Sequence, residues 1–301
     1  MNRFYLGVCL ILLSSVGFGV IPIFAKYAYQ GGANVATILF VRFAVASLIF
    51  FLYLWWRRRL RVSLTKKQWA SLFVFGGVVY ALISTWYFEA LHYISGSLAT
   101  LLLYTYPLFV VVLSIWWEKS GFSKSTLSAI LLSLLGLAVV LGTNYGEIHY
   151  YGVFLAMIAS VGYAVHIVLM NRMVKAMPPL LTSAFMMLFT TVTLFVIALW
   201  TGTLDFQFNG VAWLSIIGLS FASTILSLLT FFVGLEMVGS TNASILSMME
   251  PLITIVLSVL ILGETFTGVQ MIGAVVVIAG AVIVVRSQGR SQGKVEINHS
   301  A

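Results

Sequence analysis

Ten apolar runs of roughly 20 residues follow one another along this chain, the length that crosses a hydrocarbon layer about 30 Å thick as α-helix. They lie at 4–25, 34–56, 69–88, 96–117, 125–142, 151–170, 180–200, 211–234, 241–261 and 268–285. In lipid the backbone must satisfy its own polar groups, which only helices and closed barrels do. A barrel needs strands of alternating polarity, whereas these runs are continuous. The chain is therefore expected to be an all-α integral membrane protein of ten transmembrane helices, multi-pass, with the lipid bilayer as its solvent. Its composition, 61% hydrophobic and 8% charged, agrees. Gly31-Gly32, Gly121, Asn144 to Gly146, Pro178-Pro179, Gly239-Ser240 and Thr265 punctuate short connections with no room for a soluble domain. The first run lacks a small-residue cleavage site and reads as helix one rather than a signal peptide. The single cysteine, Cys9, excludes an intrachain disulfide.

The fourth and ninth runs are versions of one another. Leu101 to Ser114 reads LLLYTYPLFVVVLS and Ile245 to Ser258 reads ILSMMEPLITIVLS, at an offset of 144 residues. Without a gap, Pro107 falls on Pro251, Ala99 on Ala243, Ser114 on Ser258, Gly136 on Gly280, and Tyr106 on Glu250. The front of each copy agrees more faintly, Ser15-Val16-Gly17-Phe18 against Ser160-Val161-Gly162-Tyr163. Five helices per copy is an odd number, so the second copy crosses the membrane in the opposite sense. Residues 1–142 are expected to form the first repeat (helices 1–5), 151–285 the second (helices 6–10), and 286–301 a disordered cytoplasmic tail. Inverted repeats place a binding site near the midplane between the halves.

The net charge of +8 raises nucleic acid as a partner, and the placement of the charges answers it. With the amino terminus in the cytoplasm, fourteen of the sixteen Lys and Arg fall on the cytoplasmic side, leaving Lys26 outside and Arg42 within helix two. That bias follows the positive-inside rule and predicts both termini in the cytoplasm, with no nucleic-acid role.

Glu250-Pro251, then Leu262-Gly263-Glu264, Gln270-Met271-Ile272-Gly273-Ala274 and Ala279-Gly280, resemble the second EamA domain of the drug/metabolite transporter superfamily. The resemblance extends over nearly the whole chain, from Gly17-Phe18-Gly19 through Arg42 to Gly280, with Glu118 only approximately at the first copy's loop glutamate. It implies a ten-helix carrier of a bacterial cytoplasmic membrane, exporting amino acids, related metabolites or drugs. Members of the family differ widely in substrate, so none is named.

Glu250 is the foremost candidate residue. It is the tenth of its run, roughly 14 Å along the helix and hence near the midplane, where an ionisable group should face a cavity or a partner. Ala243, Ser247, Glu250, Thr254 and Ser258 recur at helical spacing as one small or polar stripe. Glu250 serves either as proton carrier or counter-ion for a substrate amine, or as a buried glutamate bonded to neighbouring helices. Pro251 and Pro107 each remove a backbone donor, so both helices should kink near mid-depth. Pro22 is a third candidate hinge.

Arg42 can bind a substrate carboxylate through two hydrogen bonds, pair with Glu250, or snorkel outward. His166 is a candidate for proton exchange or a plainly hydrogen-bonded histidine. Phe18, Tyr80, Trp86, Tyr87, Tyr104, Tyr106 and Tyr163 lie on helices that the resemblance places around the central path. Thr100, Tyr104 and Pro107 share one face that can line a pocket, with cation-π attraction or ordinary packing as its role. Lys26 reads as an interfacial anchor, and Glu89, His92, Glu236 and Asn171 as solvated or capping groups. Glu264 reads as a cap ahead of helix ten. Trp55-Trp56, Trp69 and Trp116-Trp117 read as an interfacial belt, and Gly273 and Gly280 as a close helix contact.

No HExxH zinc site, GxSxG elbow or Cys/His cluster occurs, and Gly121 to Ser125 lacks the glycine that a phosphate loop needs before its lysine. The expected function is not enzymatic: a secondary transporter needing no metal or cofactor, exporting a small-molecule substrate by alternating access, with protons as coupling ion and a monomer or homodimer as the working unit. A multidrug or cation exporter, a passive facilitator and a membrane scaffold are the rival readings.

Overall fold

A computed structural model describes residues 3–57, 64–90, 93–94, 96–118, 124–142, 149–262 and 267–299. Among the described residues every regular element is helical and no strand occurs. Grouped into apolar runs, the helices are α1 (Arg3–Gln30), α2 (Val35–Trp56), α3 (Lys66–Ala90), α4 (Gly96–Leu103 with Tyr106–Glu118), α5 (Lys124–Leu141), α6 (Tyr150–Ala176) and α7 (Pro179–Thr201). They continue with α8 (Gly210–Val238), α9 (Ser240–Leu246, Ser247–Met249 and Glu250–Leu262) and α10 (Gly268–His299). Among the described residues seven runs, α1 to α4 and α6 to α8, are long and apolar enough to cross a membrane, and two shorter apolar helices lie at Lys124–Val140 and Met271–Val284.

Helix ends extend beyond the apolar runs because polar residues continue the hydrogen-bond ladder after hydrophobicity has stopped. α6 carries Asn171, Arg172 and Lys175 before Met177 turns extended at φ −152°, the conformation that Pro178 imposes on its predecessor. Asn34 and Asn209 cap α2 and α8 through their side chains, accepting from Thr37 and Ala212. α10 continues helical across positions 286–299, where a disordered tail was expected. The turn residues Gly121, Asn144 to Gly146 and Thr265 lie outside the described residues, as do His92 and Glu264; so does the side chain of Glu118.

The packing has a regularity of its own. α5 lies against α10 and α2 against α7; α1 packs on α8 and α9, while α6 packs on α3 and α4. Exchanging each helix with the one five places along reproduces that pattern. Two departures from α-helical geometry repeat with it: α3 contains a π-helical stretch at Leu72–Val79, and α8 one at Ser220–Leu226. Such a stretch leaves carbonyls without the usual partners, and side chains from neighbouring helices take them up. His166 Nδ1 donates to the Phe75 carbonyl at 3.0 Å, and Thr190 Oγ1 to that of Gly76 at 2.9 Å.

α5 and α10 cross backbone to backbone. A Cβ on Gly136 would sit 2.8 Å from the Gly273 carbonyl oxygen, and one on Gly280 2.8 Å from that of Ala129. Only glycine admits this approach, the small-residue contact that helices use where lipid supplies no hydrophobic drive. Leu135, Trp200, Leu214 and Leu260 are among the large apolar side chains left exposed.

One end of the bundle is basic, with Arg3, Arg57, Lys66, Lys67, Lys124, Arg172 and Lys175 at helix termini. Here Arg3 pairs with Glu236 at 2.8 Å, the one ion pair among the described residues, and Arg172 donates to the Trp117 carbonyl. Glu236 is thus paired at the surface, still partly open to solvent, whereas Asn171 is buried rather than solvated, because α4 packs on α6. Trp55, Trp56 and Trp116 are exposed at this end, and Trp69 lies edge-on to Phe185 and Phe189. The opposite end joins α2 to the turn after α7 by Asn34 Nδ2 to the Thr203 carbonyl (2.8 Å) and the Asp205 amide to Thr37 Oγ1 (3.1 Å).

Candidate functional site

α4 and α9 are each interrupted just ahead of their proline. In α4 the ladder stops at Leu103, and the Thr105 amide and the amide of Leu108 reach carbonyls only three residues back, at 3.2 and 3.0 Å. Thr105 Oγ1 ties this turn to Ser160 of α6 at 3.0 Å. In α9 the interruption is a 3₁₀ turn, Ser247–Met249, after which α-helix resumes at Glu250. A proline lacks the amide for the usual bond four residues back, and the tighter turn accommodates the loss. α1 is likewise interrupted after Gly19, ahead of Pro22.

These turns decide which side chains meet. Between the helices lies a cavity of about 250 Å³ lined by Phe18 and Ile21 of α1, Arg42 of α2, Tyr80, Ile83, Ser84, Tyr87 and Phe88 of α3, Thr100, Leu103 and Tyr104 of α4, Tyr163 of α6, and Glu250, Pro251 and Thr254 of α9. It draws on both copies of the duplication. The Tyr104 hydroxyl is within hydrogen-bonding reach of the Glu250 carboxylate, and Thr254 Oγ1 donates to the Glu250 carbonyl at 3.1 Å. Glu250 keeps partial exposure, as a group facing a cavity does.

Arg42 lines the same cavity, and its charge acts on that of Glu250 without an ion pair between them. Its Nε donates to Thr224 Oγ1, in the π-helical stretch of α8, at 2.6 Å, and the guanidinium lies 5.1 Å from the Phe43 ring centroid. Buried at 5% exposure, it neither snorkels nor neutralises the glutamate. An arginine held by one bond and one ring retains donors for a further acceptor.

The stripe along α9 divides at the 3₁₀ turn. Glu250 and Thr254 reach the cavity, whereas Ala243 and Ser247 are buried on the far side of the turn, and the Ser258 side chain lies outside those described. Tyr106 is also outside the lining: at 1% exposure its hydroxyl donates to the Ser244 carbonyl at 3.2 Å, and its ring lies edge-on to Tyr163 at 4.8 Å. His166 sits one layer behind the cavity, its ring 4.9 Å from Tyr80 and 6.2 Å from Tyr163, with Nδ1 committed to Phe75. Pro107 is buried next to Tyr106, and Lys26 is exposed on α1. Ser84 and Phe88 were not singled out from the sequence, although Tyr80, Ser84 and Phe88 follow one another at four-residue spacing and share a helix face.

A second cavity of about 850 Å³ opens at the end of the bundle away from the basic termini. Tyr29, Asn34, Glu89, Thr201, Thr203 and Asp205 are among its lining. Phe88 lines both cavities and stands between them. Among the described residues no group of three or more His, Cys, Asp or Glu side chains could hold a metal ion.

The comparisons with known proteins meet this geometry. The EamA-like transporter family matches residues 5–142 and again residues 150–286. An uncharacterized transporter of Archaeoglobus fulgidus is 32% identical over 197 residues, 65% of this chain and 70% of the relative. The uncharacterized transporter YcbK of Bacillus subtilis is 26% identical over 279 residues, 89% of this chain and 88% of the relative. A solved structure described only as a crystal structure of a protein superposes with TM-score 0.81 at 18% identity, covering 96% of this chain and 98% of that one, and attests the fold alone. With the family matched over both halves and the apolar helices packed around a polar-centred cavity, this chain belongs to the EamA-like transporter family and is a multi-pass membrane protein.

Proposed function

We propose that this transporter is a secondary carrier of ten membrane-spanning helices arranged as two inverted five-helix repeats, with both termini in the cytoplasm of a bacterial cell. It exports a small metabolite such as an amino acid by alternating access, exchanging it for protons at Glu250. The observation that carries the reading is the cavity shared by the two copies, where Arg42 and Glu250 stand unpaired with each other. A zwitterion satisfies both charges, its carboxylate on Arg42 and its amine on Glu250, while the surrounding Tyr and Phe rings accept an apolar side chain. The packing pattern that repeats every five helices supports the duplicated architecture, and the basic end supports the cytoplasmic side.

A cation exporter is the second reading, favoured by Tyr80, Tyr87, Tyr104 and Tyr163 around the carboxylate. Arg42 weighs against it, because a lone cation would meet an uncompensated guanidinium. Thermal-shift screening of the purified protein against amino acids, nucleosides and cationic drugs separates the two. Uptake of the stabilising compound into sealed vesicles then tests coupling: transport should follow an imposed pH gradient. Uptake that ignores the gradient would make the protein a facilitator, and stabilisation by cations alone would overturn the zwitterion.

A further inference from the structure

Two hydrogen bonds lock α4 to α9 toward the basic end: the Tyr106 hydroxyl donates to the Ser244 carbonyl at 3.2 Å, and Ser114 Oγ lies 2.9 Å from Ser240 Oγ. Toward the other end the same helices face each other across the cavity, with Thr100, Leu103 and Tyr104 on one wall and Glu250, Pro251 and Thr254 on the other. Along these two helices the bonds lie toward the basic end, and the cavity separates their facing side chains beyond them.

The duplication maps one half of this picture onto the other. At the 144-residue offset Tyr106 corresponds to Glu250 and Ser244 to Thr100. The counterpart of the Tyr106–Ser244 contact is therefore Glu250 against the Thr100 carbonyl, and both members already line the cavity from opposite sides. The chemistry of the two contacts differs at one atom. A tyrosine hydroxyl always carries its donor hydrogen here; a carboxylate has none and repels a carbonyl, whereas a carboxylic acid donates to it.

We propose that Glu250 and the Thr100 carbonyl form the outer clasp of this carrier, and that the clasp closes only when Glu250 has taken a proton from the water of the outer vestibule. The inference rests on the inverted-repeat reading above and adds the gate's identity and its proton requirement. Closing also withdraws the Glu250 carboxylate from the Tyr104 hydroxyl that now reaches it. The ionisable groups facing Glu250 are Arg42 from α2, Tyr80 and Tyr87 from α3, Tyr104 and Tyr106 from α4, and Tyr163 from α6. Of these Arg42 alone is cationic. A substrate amine seated on Glu250 keeps the carboxylate occupied and the mouth open, and its release to the outside frees Glu250 for the proton that shuts the mouth, so substrate and proton occupy the site in turn, as exchange requires.

Single cysteines in a Cys9→Ser background test the clasp without knowing the substrate. Thr254→Cys reports the outer mouth and Thr241→Cys the inner one, each labelled by a membrane-impermeant thiol reagent in oriented vesicles. Asp205→Cys serves as the reference for the reagent's own pH dependence. Acidification should slow outer labelling relative to the reference by about tenfold and speed inner labelling. Glu250→Gln, whose amide can donate, should stay closed outside at every pH, and Glu250→Ala should stay open. Tyr106→Phe, which loses the inner donor, should label faster at Thr241→Cys on the alkaline side. If the two sites alternate but respond neither to pH nor to the Glu250 variants, the clasp is wrong and the carrier reading stands. If the inner site never reacts while the outer one always does, both fall.

Discussion

α4 and α9 descend from one sequence and are interrupted at the same place, yet the residue ahead of the proline does opposite things in the two. In α4 it is Tyr106, buried and bonded to Ser244; in α9 it is Glu250, facing the cavity. In α4 the cavity is reached instead by Tyr104, two residues earlier, through the turn that precedes Tyr106. The comparison teaches that duplication supplied the shared mechanics, the paired interruptions, whereas the difference at one position supplied a group that can change its charge. A symmetric pair of phenols would give two equal gates with nothing to tell them when to open.

The largest effect expected from breaking this asymmetry is on transport. Glu250→Ala should lower pH-driven transport by about 100-fold, as loss of an essential ionisable group does. Substrate uptake into vesicles under an imposed pH gradient measures it, and an unchanged rate with an unchanged pH profile would make Glu250 structural.

Next come two pairs of glycines that occupy equivalent places in the copies. Gly17 approaches the π-helical stretch of α8 so closely that a Cβ would lie 2.6 Å from the Ala222 carbonyl oxygen, whereas one on Gly162 would meet side chains alone, Ile83 at 3.0 Å and Trp86 at 3.7 Å. Gly17→Ala should destabilise by about 1–3 kcal/mol, and Gly162→Ala by less than about 1 kcal/mol, offset by helix propensity. Thermal unfolding in detergent compares them, and equal losses would remove this difference between the copies. Gly136→Ala and Gly280→Ala, by contrast, each push a methyl against a backbone carbonyl at 2.8 Å and should cost the same, about 1–3 kcal/mol. A large inequality would show the α5–α10 crossing to be less symmetric than its packing.

Smaller effects sharpen the two ends. Tyr106→Phe removes one hydrogen bond, about 1 kcal/mol or about fivefold in the balance between open and closed inner ends. Arg3→Ala breaks the Arg3–Glu236 pair, but with the Arg3 side chain 70% exposed the loss should stay below about 0.5 kcal/mol and vanish in high salt. A larger, salt-resistant loss would assign that pair a share in holding the basic end shut.

Much of this was legible in the sequence. Run length, the prolines and the repeat depend on local chemistry: backbone groups in lipid must be satisfied within the segment, and a proline interrupts the ladder wherever it falls. Arg42 and Glu250 were legible because a charge inside an apolar run is costly enough to need a purpose. Among the aromatic residues of those helices, the division between Phe18, Tyr80, Tyr87, Phe88, Tyr104 and Tyr163, which line the cavity, and Trp86 and Tyr106, which do not, was not decided locally. In water, hydrophobic periodicity separates core from surface, but here Leu135 facing outward and Leu137 in the core are equally apolar, since lipid and protein interior make the same demand. Nothing local distinguishes Tyr104 from Tyr106, or assigns His166 to a π-helical carbonyl and Arg42 to Thr224. Those choices belong to tertiary structure, where the interruptions in α4 and α9 and the π-helical stretches in α3 and α8 rotate one helix half against the other and thereby select the side chains that meet.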